Sequence, residues 1–228
     1  MPSIDENSTL RQFQDFVEEV YSLPNDRHYS MGDMLSNYSR FNMRALKGIR
    51  KNDLEKAKAN LLITLSWFCS IMNRLHIDLA NEVWSNFPYK CTYCNSCPCI
   101  CKEEKSDTRQ SVQADSNKRP STIREFQEMF QQIYPAEKRT LEHAAVHLAE
   151  ELGEFSEAIL VFRGSHGDDH FRGIAMEAAD IFSCAMGVFN SLGVDVQKEL
   201  SRIFSENCHV CKKAPCECTF DYVMNFRS

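Results

Sequence analysis

Ile174-Ala175-Met176-Glu177-Ala178-Ala179-Asp180-Ile181-Phe182-Ser183-Cys184-Ala185-Met186-Gly187-Val188-Phe189 is a run of apolar and small residues whose only charges are Glu177 and Asp180. A helix that is apolar all round is a buried helix. A buried carboxylate needs a proton, a basic partner or a cation, and this run holds no Lys or Arg. Upstream, His147-Leu148-Ala149-Glu150-Glu151-Leu152-Gly153-Glu154-Phe155-Ser156-Glu157 carries a second acidic group. Residues three apart share a helix face, so Glu151 points with Glu154 and Glu177 with Asp180. Antiparallel packing of the two helices would make the four carboxylates converge. Inward carboxylates of this kind suit Mg²⁺, a hard cation with oxygen ligands. Alone, Glu150, Glu151, Glu154 and Glu157 would be a solvated helix face. The acids inside the apolar run turn the reading toward a metal site.

Working outward, the chain is an internal repeat. Ser8-Thr9-Leu10-Arg11-Gln12-Phe13-Gln14 matches Ser121-Thr122-Ile123-Arg124-Glu125-Phe126-Gln127, and Leu75-His76-Ile77-Asp78-Leu79 matches Leu192-Gly193-Val194-Asp195-Val196. Cys91, Cys94, Cys99 and Cys101 repeat as Cys208, Cys211, Cys216 and Cys218, with Pro98 answering Pro215. The repeat implies three segments: a copy over 8–101, a polar linker over 102–120 and a second copy over 121–218. As a random coil the linker spans roughly 25 Å, enough for the copies to pack side by side.

Each copy reads as four helices, and the fold class is all-α. Thr9 with Gln12 and Thr122 with Glu125 are capping boxes. Pro24 and Pro135 are read as helix stops, and Gly164 as another. The third helix of the second copy is expected over about 172–192, and Asp195 caps the fourth. Gly164 to His170 reads as a flexible loop, with a second metal site as the minor alternative. Aligning the copies puts Asn37, Tyr38 and Phe41 where Glu150, Glu151 and Glu154 stand. Asn60 and Ile63 take the places of Glu177 and Asp180. The first copy therefore lacks the metal site, and Tyr38, Phe41 and Ile63 read as core filling. Trp67 and Trp84 read as core or interface residues.

The composition, 43% hydrophobic and 25% charged over 228 residues, is globular, and 8 Gly and 7 Pro fit long helices. A net charge of −6 argues against a nucleic-acid partner. No apolar signal region or membrane-length run appears, so a cytoplasmic protein without a membrane partner is expected. Eleven cysteines in such a chain read as metal ligands or buried thiols. Each four-cysteine loop has the soft donors for a tetrahedral Zn²⁺ site, with Cys97 and His209 as substitute ligands. Metal-free thiols, or a zinc knuckle binding single-stranded RNA, are the alternatives. Cys69 and Cys184 read as core residues.

Glu150-Glu151-Leu152-Gly153-Glu154 followed by Glu177-Ala178-Ala179-Asp180 resembles the signature of the all-α nucleoside triphosphate pyrophosphohydrolases, of MazG and dimeric dUTPase type. The resemblance covers roughly 121–207. It implies two tandem MazG-like four-helix units packed as an intramolecular pseudo-dimer, with one live half and room for further homo-oligomers. It implies hydrolysis of a nucleoside triphosphate to the monophosphate and pyrophosphate, with Mg²⁺ held by Glu151, Glu154, Glu177 and Asp180. Glu150 is the candidate to activate water. The family often uses a Lys and an Asn on the last helix. Asn207 matches the Asn, whereas Ile203 stands at the Lys position, with Lys198 and Arg202 as nearby cations. His147 is a further candidate substrate contact, set against a structural role. A nucleotide-binding regulator is the alternative function.

Overall fold

The computed structural model describes residues 3–227, and no strand occurs among them. The helices are α1 (Leu10–His28), α2 (Met31–Arg50), α3 (Leu54–Arg74), α4 (Leu79–Asn86), α5 (Ile123–Ile133), α6 (Leu141–Ser165), α7 (Asp168–Leu192), α8 (Val196–Ile203) and α9 (Phe220–Asn225). None of them is long and apolar enough to cross a membrane. Both capping boxes form: Thr9 and Thr122 accept the backbone N–H of Gln12 and Glu125, whose side chains bond back to the cap.

Three expected helix boundaries differ. α1 runs through Pro24 to His28. A proline inside a helix leaves the carbonyl four residues back without its donor. That carbonyl, on Val20, accepts the N–H of Cys216 at 2.7 Å, so the break costs no hydrogen bond. α5 does end at Ile133, before Pro135. Its terminal carbonyl accepts the N–H of Cys99 at 2.8 Å. α6 passes Gly164 and stops where His166 turns left-handed at φ 55°, and α7 begins at once behind Gly167. The expected flexible loop is thus a two-residue corner.

The chain forms two compact units. One joins Met1–Asp78 to Asp195–Ser228; the other is Leu79–Val194. The first holds α1, α2, α3, α8 and α9, and the second holds α4, α5, α6 and α7. The fourth helix and cysteine loop of each copy therefore lie in the unit built on the other copy's first three helices.

Equivalent contacts recur in the two units. In the first, Gln14 Nε2 donates to the Ile77 carbonyl at 2.7 Å, and Asn73 Nδ2 to the Gln14 carbonyl at 2.9 Å. In the second, Gln127 Nε2 donates to the Val194 carbonyl at 2.7 Å, and Asn190 Nδ2 to the Gln127 carbonyl at 3.2 Å. The exchanged segments carry core rings. Phe204 packs on Phe13 and Phe16 at 6.0 and 5.8 Å in the first unit. Its counterpart Phe87 packs edge-on against Phe130 at 5.3 Å in the second, beside the contact of Phe130 with Phe182. Such tilted pairs are favourable ring geometries. Phe87→Ala is expected to cost about 3–5 kcal/mol in urea unfolding. A loss below about 1 kcal/mol would show that this ring is not part of the second unit's core.

Candidate functional site

α6 and α7 are 25 residues each and face one another in the second unit. Their pairings give an antiparallel ladder. One ligand atom each of Glu151, Glu177 and Asp180 lies within 4.8 Å of the other two. Asp180 is buried, and Glu151 and Glu177 are partly so. Glu151 Oε2 and Glu177 Oε2 are buried without a hydrogen-bond partner. Unsatisfied buried carboxylate oxygens are costly, and three all-oxygen side chains converging on one point suit a hard cation.

Glu154 stands outside this convergent group and is exposed. Three residues on an α-helix advance about 300°, leaving Glu154 about 60° from Glu151 around the axis. That offset brings Glu151 against α7 and turns Glu154 to the rim. Glu154 still adds to the negative potential felt by Glu177 and Asp180. Glu150 is exposed, and its charge is felt by His147 and Cys184. His147 Nε2 donates to Glu151 Oε1 at 3.1 Å, and its Nδ1 lies 3.6 Å from Cys184 Sγ. The hydrogen bond with Glu151 holds the imidazole above its ordinary range.

A basic partner does exist, and it comes from the linker. Arg109 makes a two-pronged pair with Asp180, one contact being Nη1 to Oδ1 at 3.2 Å. The segment is tied down beside it: Gln110 N–H donates to the Thr92 carbonyl at 2.7 Å, and the Arg109 guanidinium lies 5.7 Å from the Tyr93 ring centre. The linker is therefore part of the site as well as a tether. Arg109 lies 71 positions from Asp180, in a polar stretch without periodicity, so no local pattern announced it.

The expected contacts on the last helix fall in the unit that does not carry the carboxylates. Lys198, Arg202 and Asn207 belong to the first unit, which lacks the carboxylates. Arg202 is paired with Glu199 at 2.8 Å, and Asn207 lies beyond α8, buried and left-handed at φ 71°. The fourth helix that packs on α7 is α4, from the first copy. The corresponding positions there are Asn81, Ser85 and Lys90, all exposed. In the first unit, Asn37, Tyr38, Phe41, Asn60 and Ile63 are buried, as core filling requires. Arg40 and Arg44 there donate to the carbonyls of Val223, Met224 and Phe226, fastening α9.

Both cysteine sets converge. Cys91, Cys94, Cys99 and Cys101 form one group and Cys208, Cys211, Cys216 and Cys218 the other, each within 4.8 Å, and each could hold a metal such as zinc. Sulfur separations are 3.5 and 3.8 Å in the first, and 3.4, 3.8 and 3.9 Å in the second. A Zn–S bond of about 2.3 Å implies tetrahedral edges of about 3.8 Å, so the sets fit zinc. Backbone N–H groups of Ile100 and Cys101, and of Glu217 and Cys218, donate to sulfur at equivalent positions. Such donors stabilise thiolate charge. Cys97 is exposed and His209 packs against Phe204 and Phe226, so neither stands in for a thiol.

Compared with known protein families, curated proteins and solved structures, the chain matches none.

Burial, then the Asp180 charge, pushes the Glu177 carboxyl up to about 7 from 4.5, against the pull of Arg109. Asp180 is raised too, by burial first. A carboxyl raised in the folded state favours folding while protonated, and that advantage is lost as pH rises. Without divalent cations, stability should therefore fall between pH 4.5 and about 7. Glu177→Gln should flatten this part of a melting-temperature profile in magnesium-free buffer. An unchanged slope in the variant would contradict the assignment.

Proposed function

We propose that the protein is a Mg²⁺-dependent nucleoside triphosphate pyrophosphohydrolase, releasing pyrophosphate and a nucleoside monophosphate. The observation that carries this reading is the meeting of Glu151, Glu177 and Asp180 on facing helices, with two buried oxygens left unpartnered. Mg²⁺ held there would offset the repulsion between an acidic pocket and a triphosphate and stabilise charge developing on phosphate oxygens. Glu154, at the rim, would add its negative charge to the ion's surroundings. Glu150 is the chain's candidate for orienting the attacking water. Arg109 supplies the cation that the resemblance assigns to a lysine on the last helix. Released from Asp180, its guanidinium is positioned to take a phosphate oxygen.

The tandem architecture belongs to the same reading. Exchange of the fourth helix and cysteine loop between copies is what fusion of a subunit pair would leave, with one metal site retained. Zinc in the two cysteine sets would fasten the exchanged loops to α1 and α5, where Cys216 and Cys99 already bond to Val20 and Ile133.

The test is pyrophosphate release from a panel of ribo- and deoxyribonucleoside triphosphates, with and without Mg²⁺. Turnover should require Mg²⁺ and fall about a hundredfold or more in Glu151→Gln and Glu177→Gln. Turnover without Mg²⁺, or undiminished in both variants, would overturn the proposal. Tight nucleotide binding without turnover would instead support a nucleotide-sensing regulator.

A further inference from the structure

The carboxylate ladder does not end at Glu151. One turn further along α6 stands His147, and one turn further along α7 stands Cys184. One ligand atom each of His147, Glu151 and Cys184 lies within 4.8 Å of the other two. His147 bridges the set, Nε2 to Glu151 Oε1 at 3.1 Å and Nδ1 to Cys184 Sγ at 3.6 Å. The repeat sharpens the point: the aligned positions in the first copy are Met34 and Trp67, which cannot form such a group.

We propose that His147, Glu151 and Cys184 form a second metal position, selective for a borderline-soft transition metal such as Zn²⁺ or Co²⁺ over Mg²⁺, with Glu151 shared between it and the Glu177–Asp180 position. The donor set decides the class. Mg²⁺ takes oxygen ligands, whereas imidazole and thiolate favour zinc and its neighbours. A thiolate and a carboxylate balance a divalent charge. Metal–N and metal–O bonds of about 2.1 Å and a metal–S bond of about 2.3 Å call for ligand atoms about 3.3–3.7 Å apart in a tetrahedron. One ring nitrogen, one Glu151 oxygen and the Cys184 sulfur already lie within 4.8 Å of one another, so closing on an ion takes a shift of about 1 Å by the exposed His147 side chain. One imidazole nitrogen binds the ion in place of the present bridge, and the Cys184 thiol gives its proton to water. Three protein ligands leave the fourth place open, the arrangement of a reactive rather than a structural site. His147 lies at that open side, with its side chain 46% exposed. Burial acts first on Cys184 and keeps its thiol protonated; the negative field of Glu151, Asp180 and Glu150, opposed by the Arg139 guanidinium, is what a bound cation would relieve. Arg139 is held by the Tyr134 carbonyl at 3.2 Å and lies against Gly187, where a Cβ would meet its Nη2 at 2.5 Å.

This position shares Glu151 with the proposed hydrolase site but does not depend on that reaction. The probe is Co²⁺ alone, added to the full chain after both cysteine sets have been filled with zinc. A thiolate-to-cobalt charge-transfer band with the intensity of one sulfur ligand should appear, at one cobalt per chain and without loss of zinc. The band should vanish in Cys184→Ser, while His147→Ala, an exposed substitution, weakens cobalt binding at least about tenfold. Both should survive in Glu177→Gln, which removes the neighbouring position, so failure of hydrolysis and failure of this site are separable. No thiolate band in the zinc-filled protein, or an undiminished band in Cys184→Ser with His147→Ala binding cobalt as tightly as the parent, would overturn the proposal.

Discussion

Asp180 sits inside the apolar stretch of α7, facing Glu151 across the α6–α7 seam and Glu177 one turn away. Three carboxylates in so small a space repel one another and lose hydration, and the folded state must answer that cost. It does so in part with Arg109, brought from the segment between the copies. The pairing satisfies Asp180 and leaves one oxygen each on Glu151 and Glu177 without a partner. Breaking a buried pair by removing one member costs about 3–5 kcal/mol because the other charge stays buried. The shallower setting of Arg109 places this pair toward the low end. A helix arranged for stability alone would carry Asn or Ile at these positions, as the first copy does at Asn60 and Ile63. Packing does not explain these carboxylates; the proposed cation would offset their cost.

A second constraint fixes how the site is framed. The fourth helix and cysteine loop of each copy pack with the other copy's first three helices. The loops dock through one backbone hydrogen bond at equivalent places, Cys216 to Val20 and Cys99 to Ile133. The two carbonyls become available for different reasons. Pro24 removes the donor that Val20 would have met inside α1, whereas α5 simply ends at Ile133. The same docking is thus reached from a kink in one unit and a helix end in the other. The result is that α4, from the copy without carboxylates, lies against α7, which carries two of them.

Much of this was legible from residue types and spacing. The apolar run around Glu177 and Asp180, the Thr-capped first helices and the repeated cysteine spacing each name a local structure, because the physics involved spans one or two helical turns. The misreadings have a common cause. Pro24 fails as a stop because its compensating donor, Cys216, lies far along the chain. Lys198, Arg202 and Asn207 belong to a different unit from the carboxylates, and chain order does not say which fourth helix packs in which unit. Arg109 escaped notice because a cation in a polar segment has no pattern that points to its partner. Glu154 differs in kind: its place at the rim follows from helical geometry once the face meeting α7 is known.

The convergence of Glu151, Glu177 and Asp180 on a divalent cation is the centre of the account. Crystals of the full chain soaked in Mn²⁺, which can replace Mg²⁺ and scatters anomalously, test it most directly. The account predicts an anomalous peak bound by those three carboxylates, with Arg109 no longer paired to Asp180. An empty seam in the soaked crystal, with Asp180 still held by Arg109, would contradict it.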